Sequence, residues 1–405
     1  MSKSITYGLL AFAVSSSLLV AQGEKPAGGW SAKAGSGITY DGGDQFGINM
    51  LNFVQTRWTF ENNENRADNN SFDVPRARTL LRGHAFNKNI NYVLQVDYRS
   101  ASSETTVEDD GSGGFDVATD SDSIVRDAYV HWNFADGIGL RMGQGKTQWG
   151  LENTGTIRGT MFTERSSASQ LFDLGGDNPR AQGAWLMGTN LENKLRWSVG
   201  LVNGLGAEEA ANDDNELGLV ATANYDLLGD YFGAGGREWW QQGDLRDGDR
   251  NLRGTVGAGY GMDNTNGSTA LVSEPDVETT AINVNTAWSI QGFQVIGEYY
   301  MADIEPDVAG ATDVSIDGYY LQGSYALNKS GDSSVQWALG LRYSFLDTTE
   351  LGASAGGDEQ TDISVVVNAL YHGHNCKTQF EVTKRDFDTA DTTDYILGVA
   401  FQLVF

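Results

Sequence analysis

The chain has 405 residues, with 54 acidic against 27 basic side chains, a formal net charge of −27, 51 glycines, 5 prolines and one cysteine. A single cysteine, Cys376, excludes an internal disulfide, and beyond the N-terminus no run of about 18 apolar residues is present to make a spanning helix. The acid is unevenly placed: residues 1–200 hold 18 basic and 22 acidic side chains, net −4, and residues 201–405 hold 9 and 32, net −23.

Lys3, the apolar stretch Leu9 to Val20 and the small residues around Ala21-Gln22-Gly23 have the pattern of an export signal, so residues 1–23 are expected to be a cleaved signal peptide. A short Gly-rich segment, residues 24–45, follows. From Phe46 to Phe405 the chain reads as one domain of alternating stretches. Candidate strands fall at Phe46–Phe60, Val74–Phe86, Ile90–Arg99, Ile124–Phe134, Ile138–Lys146, Ala181–Thr189, Lys194–Asn203 and Glu216–Tyr225. Eight more follow at Leu252–Met262, Thr279–Ser289, Gly292–Asp303, Ile316–Leu327, Val335–Phe345, Thr361–His372, Lys377–Asp386 and Asp394–Phe405.

In the last of these, Tyr395, Leu397, Val399, Phe401, Leu403 and Phe405 share one parity, while Gly398, Ala400 and Gln402, with Ile396 and Val404, share the other. An apolar row facing lipid and a small or polar row facing a lumen is how a strand crosses a bilayer without unsatisfied backbone groups. A soluble sandwich could show the same alternation in one strand. Sixteen strands with alternating short and long connections fit better an all-β, transmembrane antiparallel β-barrel of about 16 strands in a bacterial outer membrane. Aromatic residues near strand ends, Trp58, Phe60, Trp132, Phe134, Trp288, Tyr343 and Phe345, suit the membrane interface. Both termini fall on the short-turn rim. Asp226 to Asn251, with Trp239-Trp240, breaks the alternation: either a strand boundary is misplaced or the chain makes an excursion on that rim.

The second strand carries Arg76, Arg78, Arg82 and His84 on one parity, which must face the lumen because arginine on the lipid face costs about 2–4 kcal/mol at mid-depth. Such a ladder attracts small anions; alternatively its arginines pair with lumen carboxylates such as Asp97, Asp127 and Glu152 and set the pore's width. The longest connection, Thr147 to Arg180, follows Lys146 and carries Arg158, Arg165 and Arg180. A barrel of about sixteen strands is too wide to select, so this loop is expected to fold inward, forming with Lys146 and the strand arginines a basic constriction. An exposed loop is the competing reading. The acidic loop residues Glu104, Glu108, Asp109, Asp110, Asp116, Asp120 and Asp122 suit solubility or divalent cations near lipopolysaccharide, and at a Debye length of about 8 Å they need not govern an inner site.

The runs FDVPRARTLLRGHAFNKNINYVLQVDY, RDAYVHWNFADGIGLRMGQGKTQWGLE and TIRGTMFTERSSASQLF, the last followed by NPRAQGAW, resemble the phosphate-selective porin O/P family over most of Phe72 to Asn203. The resemblance implies a homotrimer of sixteen-stranded porins in which the loop after the fifth strand narrows the pore and basic lumen residues bind small anions. One departure matters. Where strongly phosphate-selective members carry a lysine cluster, this loop has Arg158 and Arg165 beside Glu164, which leaves open a broader anion pore or a general diffusion pore.

No nucleophile motif accompanies the four histidines, so no catalytic residue is assigned. His372-Gly373-His374-Asn375-Cys376 has metal-capable spacing but straddles a turn, and no metal or cofactor is expected. Outer-membrane lipid, lipopolysaccharide and small anionic solutes are the expected partners, and nothing points to nucleic acid. A non-conducting adhesin or anchor would call for a linker or repeat that the sequence lacks.

Overall fold

The computed structural model describes residues 28–101, 103–109, 115–121, 125–172, 180–204, 217–233, 236–246, 251–265, 277–306, 311–327, 334–352 and 356–405. The expected signal peptide, residues 1–23, lies outside them. Two short strands, β1 (Gly29–Lys33) and β2 (Gly37–Asp41), come first and pair with each other. The wall then comprises β3 (Phe46–Asn62), β4 (Asn69–Ala85) and β5 (Asn87–Asp97). A detached hairpin, β6 (Ser103–Asp109) and β7 (Phe115–Ser121), stands in the next connection. The wall resumes with β8 (Val125–Ala135), β9 (Ile138–Lys146), β10 (Arg180–Asn190), β11 (Leu195–Val202), β12 (Gly218–Leu228) and β13 (Arg253–Thr265). It is completed by β14 (Val277–Ile290), β15 (Phe293–Pro306), β16 (Val314–Ala326), β17 (Gln336–Asp347), β18 (Glu359–Leu370), β19 (Cys376–Phe387) and β20 (Thr392–Val404).

Neighbours in this order pair antiparallel, and β20 returns to β3 from Val404 opposite Phe53 to Tyr395 opposite Asn62, so sixteen strands close. All sixteen expected strands are present. The fifth matches end for end, whereas β4 begins at Asn69 rather than Val74. Pro75 made Val74 read as a strand start, since proline has no N–H for a ladder. The structure accommodates it at a register shift between Gln55 and Arg57, where Pro75 has no partner across the pair.

Alternation sorts each strand between two environments. On β17, Trp337, Leu339, Leu341 and Tyr343 are exposed outward, and Ala338, Arg342 and Ser344 are buried inward. On β20, Leu397, Phe401 and Leu403 face out while Ala400, Gln402 and Val404 are buried. The outward rows form the apolar belt of a membrane barrel. At the short-turn rim, Asp136-Gly137 joins Ala135 to Ile138, and Gln291-Gly292 joins Ile290 to Phe293. Gly137, Gln291 and Gly292 have φ of 66°, 50° and 91°, the left-handed geometry whose twist matches that of the flanking strands.

β20 stops opposite Phe53, leaving the first residues of β3 without a wall neighbour on that edge. β2 occupies it, with Ile38 opposite Met50 through Asp41 opposite Gly47. The N-terminal hairpin, which strand reading of the Gly-rich segment did not anticipate, thus covers an otherwise open edge.

Replacing Leu341, 57% exposed at the middle of β17, by arginine should destabilise membrane folding by about 2–4 kcal/mol. Denaturant titration of refolding into vesicles, followed by heat-modifiable gel migration, measures it.

Candidate constriction and cationic cavity

The connection after β9 is built of short pieces: α1 (Leu151–Thr154), a turn through Arg158, a run of bends from Met161 to Glu164 and α2 (Ser167–Leu171). So short a helix leaves its end groups without internal partners. Inward side chains of the wall supply them. Glu298 on β15 accepts from the N–H of Leu151 and of Glu152, both at 2.6 Å. Glu381 on β19 accepts from Thr163 N–H and Oγ1, both at 2.7 Å. Asn368 and Gln379 donate to Met161 O at 3.0 and 2.8 Å, Lys377 donates to Thr160 O at 2.6 Å, and Ala168 N–H donates to Ser344 Oγ at 3.2 Å. Within the loop, Ser166 caps α2 by accepting from Ser169 N–H at 3.1 Å.

Packing reinforces these bonds. Trp149, Leu151, Ala168 and Phe172 join inward residues of β10 to β17, among them Trp185, Ile296, Tyr300 and Tyr320, in one buried cluster. Phe172 stacks on Tyr300 with ring centroids 5.4 Å apart and planes 7° from parallel. Each large apolar side chain so buried contributes about 1.5–3 kcal/mol. The loop therefore lies inside the barrel against the β14 to β19 side.

Along the opposite side, between the loop and β3, β4, β5, β8, β9 and β10, a cavity remains. Arg76, Arg78, Lys146, Arg158, Arg165 and Arg180 all line it, with Asp127 and Glu238 the acidic lining residues. Six of the seven sequence-predicted residues are thus brought together. Arg82 is not among them; it lines a separate space toward the short-turn rim.

The six differ in their partners. Arg76 binds Glu164 of the loop and, at 2.7 Å, Gln55. Arg78 pairs with Asp97 at 2.6 Å, the one anticipated carboxylate that meets an arginine of the second strand; Asp127 pairs instead with Arg180, at 3.2 Å. Glu152 accepts from Ser166 and from Gln242. Lys146 donates to the carbonyls of Thr154 and Gly155, at 2.8 and 2.5 Å, and Arg165 to those of Glu152 and Asn153, at 3.2 and 3.1 Å. These two cations close the C-terminal end of α1, where carbonyls collect partial negative charge. Arg158 has no carboxylate within ion-pair distance among the described residues, and its Nε lacks a hydrogen-bond partner. Burial, with Arg82 nearby, pulls its guanidinium down to about 10, so it stays charged at neutral pH.

Glu164 fastens the loop to the first wall. Its carboxylate accepts from Arg57 at 2.8 Å as well as from Arg76, and Arg57 also binds Asp73 at 2.8 Å. Burial pushes the Glu164 carboxyl up, but the Arg76 and Arg57 guanidiniums outweigh it and hold it below the ordinary carboxylate range.

The long connection after β12 is a true excursion, and both strand boundaries beside it stand close to where the sequence put them. It enters the barrel from the short-turn rim. α3 (Gly236–Trp239) sends Glu238 to Arg141, with bonds of 2.6 and 2.9 Å, and to Gln148 at 2.9 Å. Arg237 donates to Trp149 O at 2.8 Å. Gln242 bonds to Gly159 O, Met161 N–H and Glu152, and its carbonyl accepts from His374 Nε2 at 2.7 Å. Burial and the Lys377 ammonium hold His374 near 3, hence neutral. Trp239 lies under both Arg82 and Arg158, at 4.7 and 5.5 Å from ring centroid to guanidinium carbon. Sequence reading missed Glu238 and Trp239 as lumen residues; their signal was the aromatic, charged stretch where a tight turn was due.

A closed sixteen-strand barrel with an apolar outer belt and a charged, loop-filled interior is an outer-membrane porin. The family model for phosphate-selective porins O and P matches residues 49–396, and the chain belongs to that family. Among solved structures it is similar to the anion-selective porin from Comamonas acidovorans, with a TM-score of 0.58, 12% identity and coverage of 89% of this chain and 100% of that one. It is also similar to the outer-membrane channel DcaP of Acinetobacter baumannii, with a TM-score of 0.53, 14% identity and coverage of 89% and 98%. A loop-deleted OmpT of Vibrio cholerae gives 0.52, 13%, 89% and 100%. At such identities the likeness is one of fold. No curated protein matches the chain.

Glu164→Gln should make the pore more anion-selective at neutral pH, because Arg57 and Arg76 lose their shared charge partner. In the parent, Glu164's pairing is present above the ordinary carboxylate value of 4.5 and is lost as pH falls through its lower folded value. Reversal potentials from pH 7 downward should drift toward anions in that acidic window, and the part due to Glu164 should be missing in the variant.

Proposed function

We propose that the protein is a water-filled diffusion channel for small anions such as phosphate, narrowed by the loop after β9. The single observation that carries this reading is the gathering of Arg76, Arg78, Lys146, Arg158, Arg165 and Arg180 around one cavity whose acidic lining residues are Asp127 and Glu238. A chain of net charge −27 would by itself favour cations, so six basic groups at the passage are a local departure large enough to reverse the sign. Arg158 is the group best placed to meet a solute, since among the described residues no carboxylate neutralises its charge, and guanidinium donors fit phosphate or carboxylate two bonds at a time. Lys146 and Arg165 contribute field while their donors hold α1. The anion selectivity of the Comamonas porin supports the same assignment.

A general diffusion pore is the second reading, favoured by the pairing of Arg76, Arg78 and Arg180 with carboxylates. We further propose, from the family, a homotrimer in outer-membrane lipid and lipopolysaccharide, exported with removal of residues 1–23.

Planar-bilayer recordings under a salt gradient test the function. Arg158→Ala should shift the reversal potential toward cations with little change in folding, since no hydrogen bond of the side chain holds the loop. Removing residues 156–173 should raise single-channel conductance and abolish the anion preference. A cation-selective parent would leave the general diffusion pore standing.

A further inference from the structure

We propose that the described part of the excursion, residues 236–246, is a second selectivity element entering from the periplasmic rim, with Trp239 the residue a solute must pass on leaving the cationic cavity. The inference rests on the diffusion-channel reading. α3 is positioned as a floor. Trp239 lines both the cationic cavity and a space of about 580 Å³ beneath it, which Arg82, His84, Tyr92 and Tyr40 also border. Glu238 lines the cationic cavity and a second lower space of about 540 Å³ beside β10 and β11. One turn of helix therefore separates the cavity from both lower compartments.

The floor is fixed from both directions. Arg141 of the wall and Gln148 of the outer loop hold Glu238, and Arg237 binds the backbone of Trp149. Segments from opposite rims are thus bonded to each other within the lumen, so the passage at this depth is bounded by both. Trp239 also couples two cations that lie in different compartments, Arg158 in the cavity and Arg82 below. Neither has a carboxylate within ion-pair distance among the described residues. An indole face attracts a guanidinium without cancelling its charge, so both stay available to an anion. The indole edge is then the threshold between successive cationic sites, and transfer past it needs binding weak enough at Arg158 to let go. Glu238 places a carboxylate at the same level, where it lowers the local positive field.

Single-channel conductance and reversal potential of the full chain in potassium chloride test this. Trp239→Ala should raise conductance about twofold by widening the threshold, and Glu238→Gln should shift the reversal potential further toward anions. In a Cys376→Ser background, Trp239→Cys labelled with a charged methanethiosulfonate added from the periplasmic side should lose current, faster with the anionic reagent than with the cationic one. Unchanged conductance in an assembled Trp239→Ala porin, or complete labelling of the cysteine without loss of current, overturns the proposal. Should the alanine variant not assemble, the labelling experiment decides alone. A parent that proves cation-selective overturns the anion reading but leaves the conductance result to stand for the threshold.

Discussion

Backbone hydrogen bonding inside a closed barrel is the constraint on which the rest of this molecule depends. A segment brought into the lumen and packed dry cannot rely on water for its N–H and C=O groups, and each one left bare costs about 1–3 kcal/mol. The wall answers with polar side chains at the necessary heights: Glu298 for the start of α1, Glu381 for Thr163, Asn368, Gln379 and Lys377 for the carbonyls of Thr160 and Met161. These residues look like ordinary lumen polarity in the sequence. Their common role is to make the loop a rigid inner wall, and only a rigid wall can hold charges at fixed separations across a passage.

Once the loop is fixed, the lumen divides into two unlike halves. One is filled, where Trp149, Leu151 and Phe172 pack with Tyr300 and Tyr320 around the buried Glu298 carboxylate; the other keeps the cavity with its basic rim. Charge is arranged on the same plan. Arginines of β4 and β10 are tied to Glu164, Asp97 and Asp127, which sets their directions, while Arg158 on the loop has no acid partner among the described residues. Ion pairs here act as scaffolding, and selectivity would come from the small surplus they leave. Because charge is screened within about 8 Å at physiological salt, the acid elsewhere on the chain weighs little on the field inside that cavity.

Much of the fold was legible because a membrane strand must alternate at every step, and the period of two survives in a single sequence. All sixteen wall strands followed from it, and so did the outward row of β20. The β1–β2 hairpin was not seen because its five-residue strands are too short and glycine-flanked to show a period. At the site, parity put Arg76, Arg78 and Arg82 on one face of the second strand. It could not tell that Arg76 and Arg78 share a cavity with Arg158 while Arg82 sits in another, since that depends on where the loop and α3 come to rest. Nor could it distinguish the carbonyl-binding Lys146 and Arg165 from Arg158. That difference arises from a single helical turn, which no hydrophobic pattern announces.

The hairpin that covers the lower edge of β3 bears on how the barrel is assembled. β1, β2 and the first part of β3 pair across only a few intervening residues, so their contacts cost little chain entropy and can form before the remainder is in place. The upper part of β3 has the opposite character: it waits for β20, more than 300 residues later, and the Glu64 N–H reaches the Asp394 carboxylate only when that distant strand arrives. One strand thus contains both a local pairing and the longest-range pairing of the wall. The lower stretch is sealed against stray strands while the upper stretch stays open as the docking edge for its true last neighbour, which favours closure of the ring over pairing with another molecule.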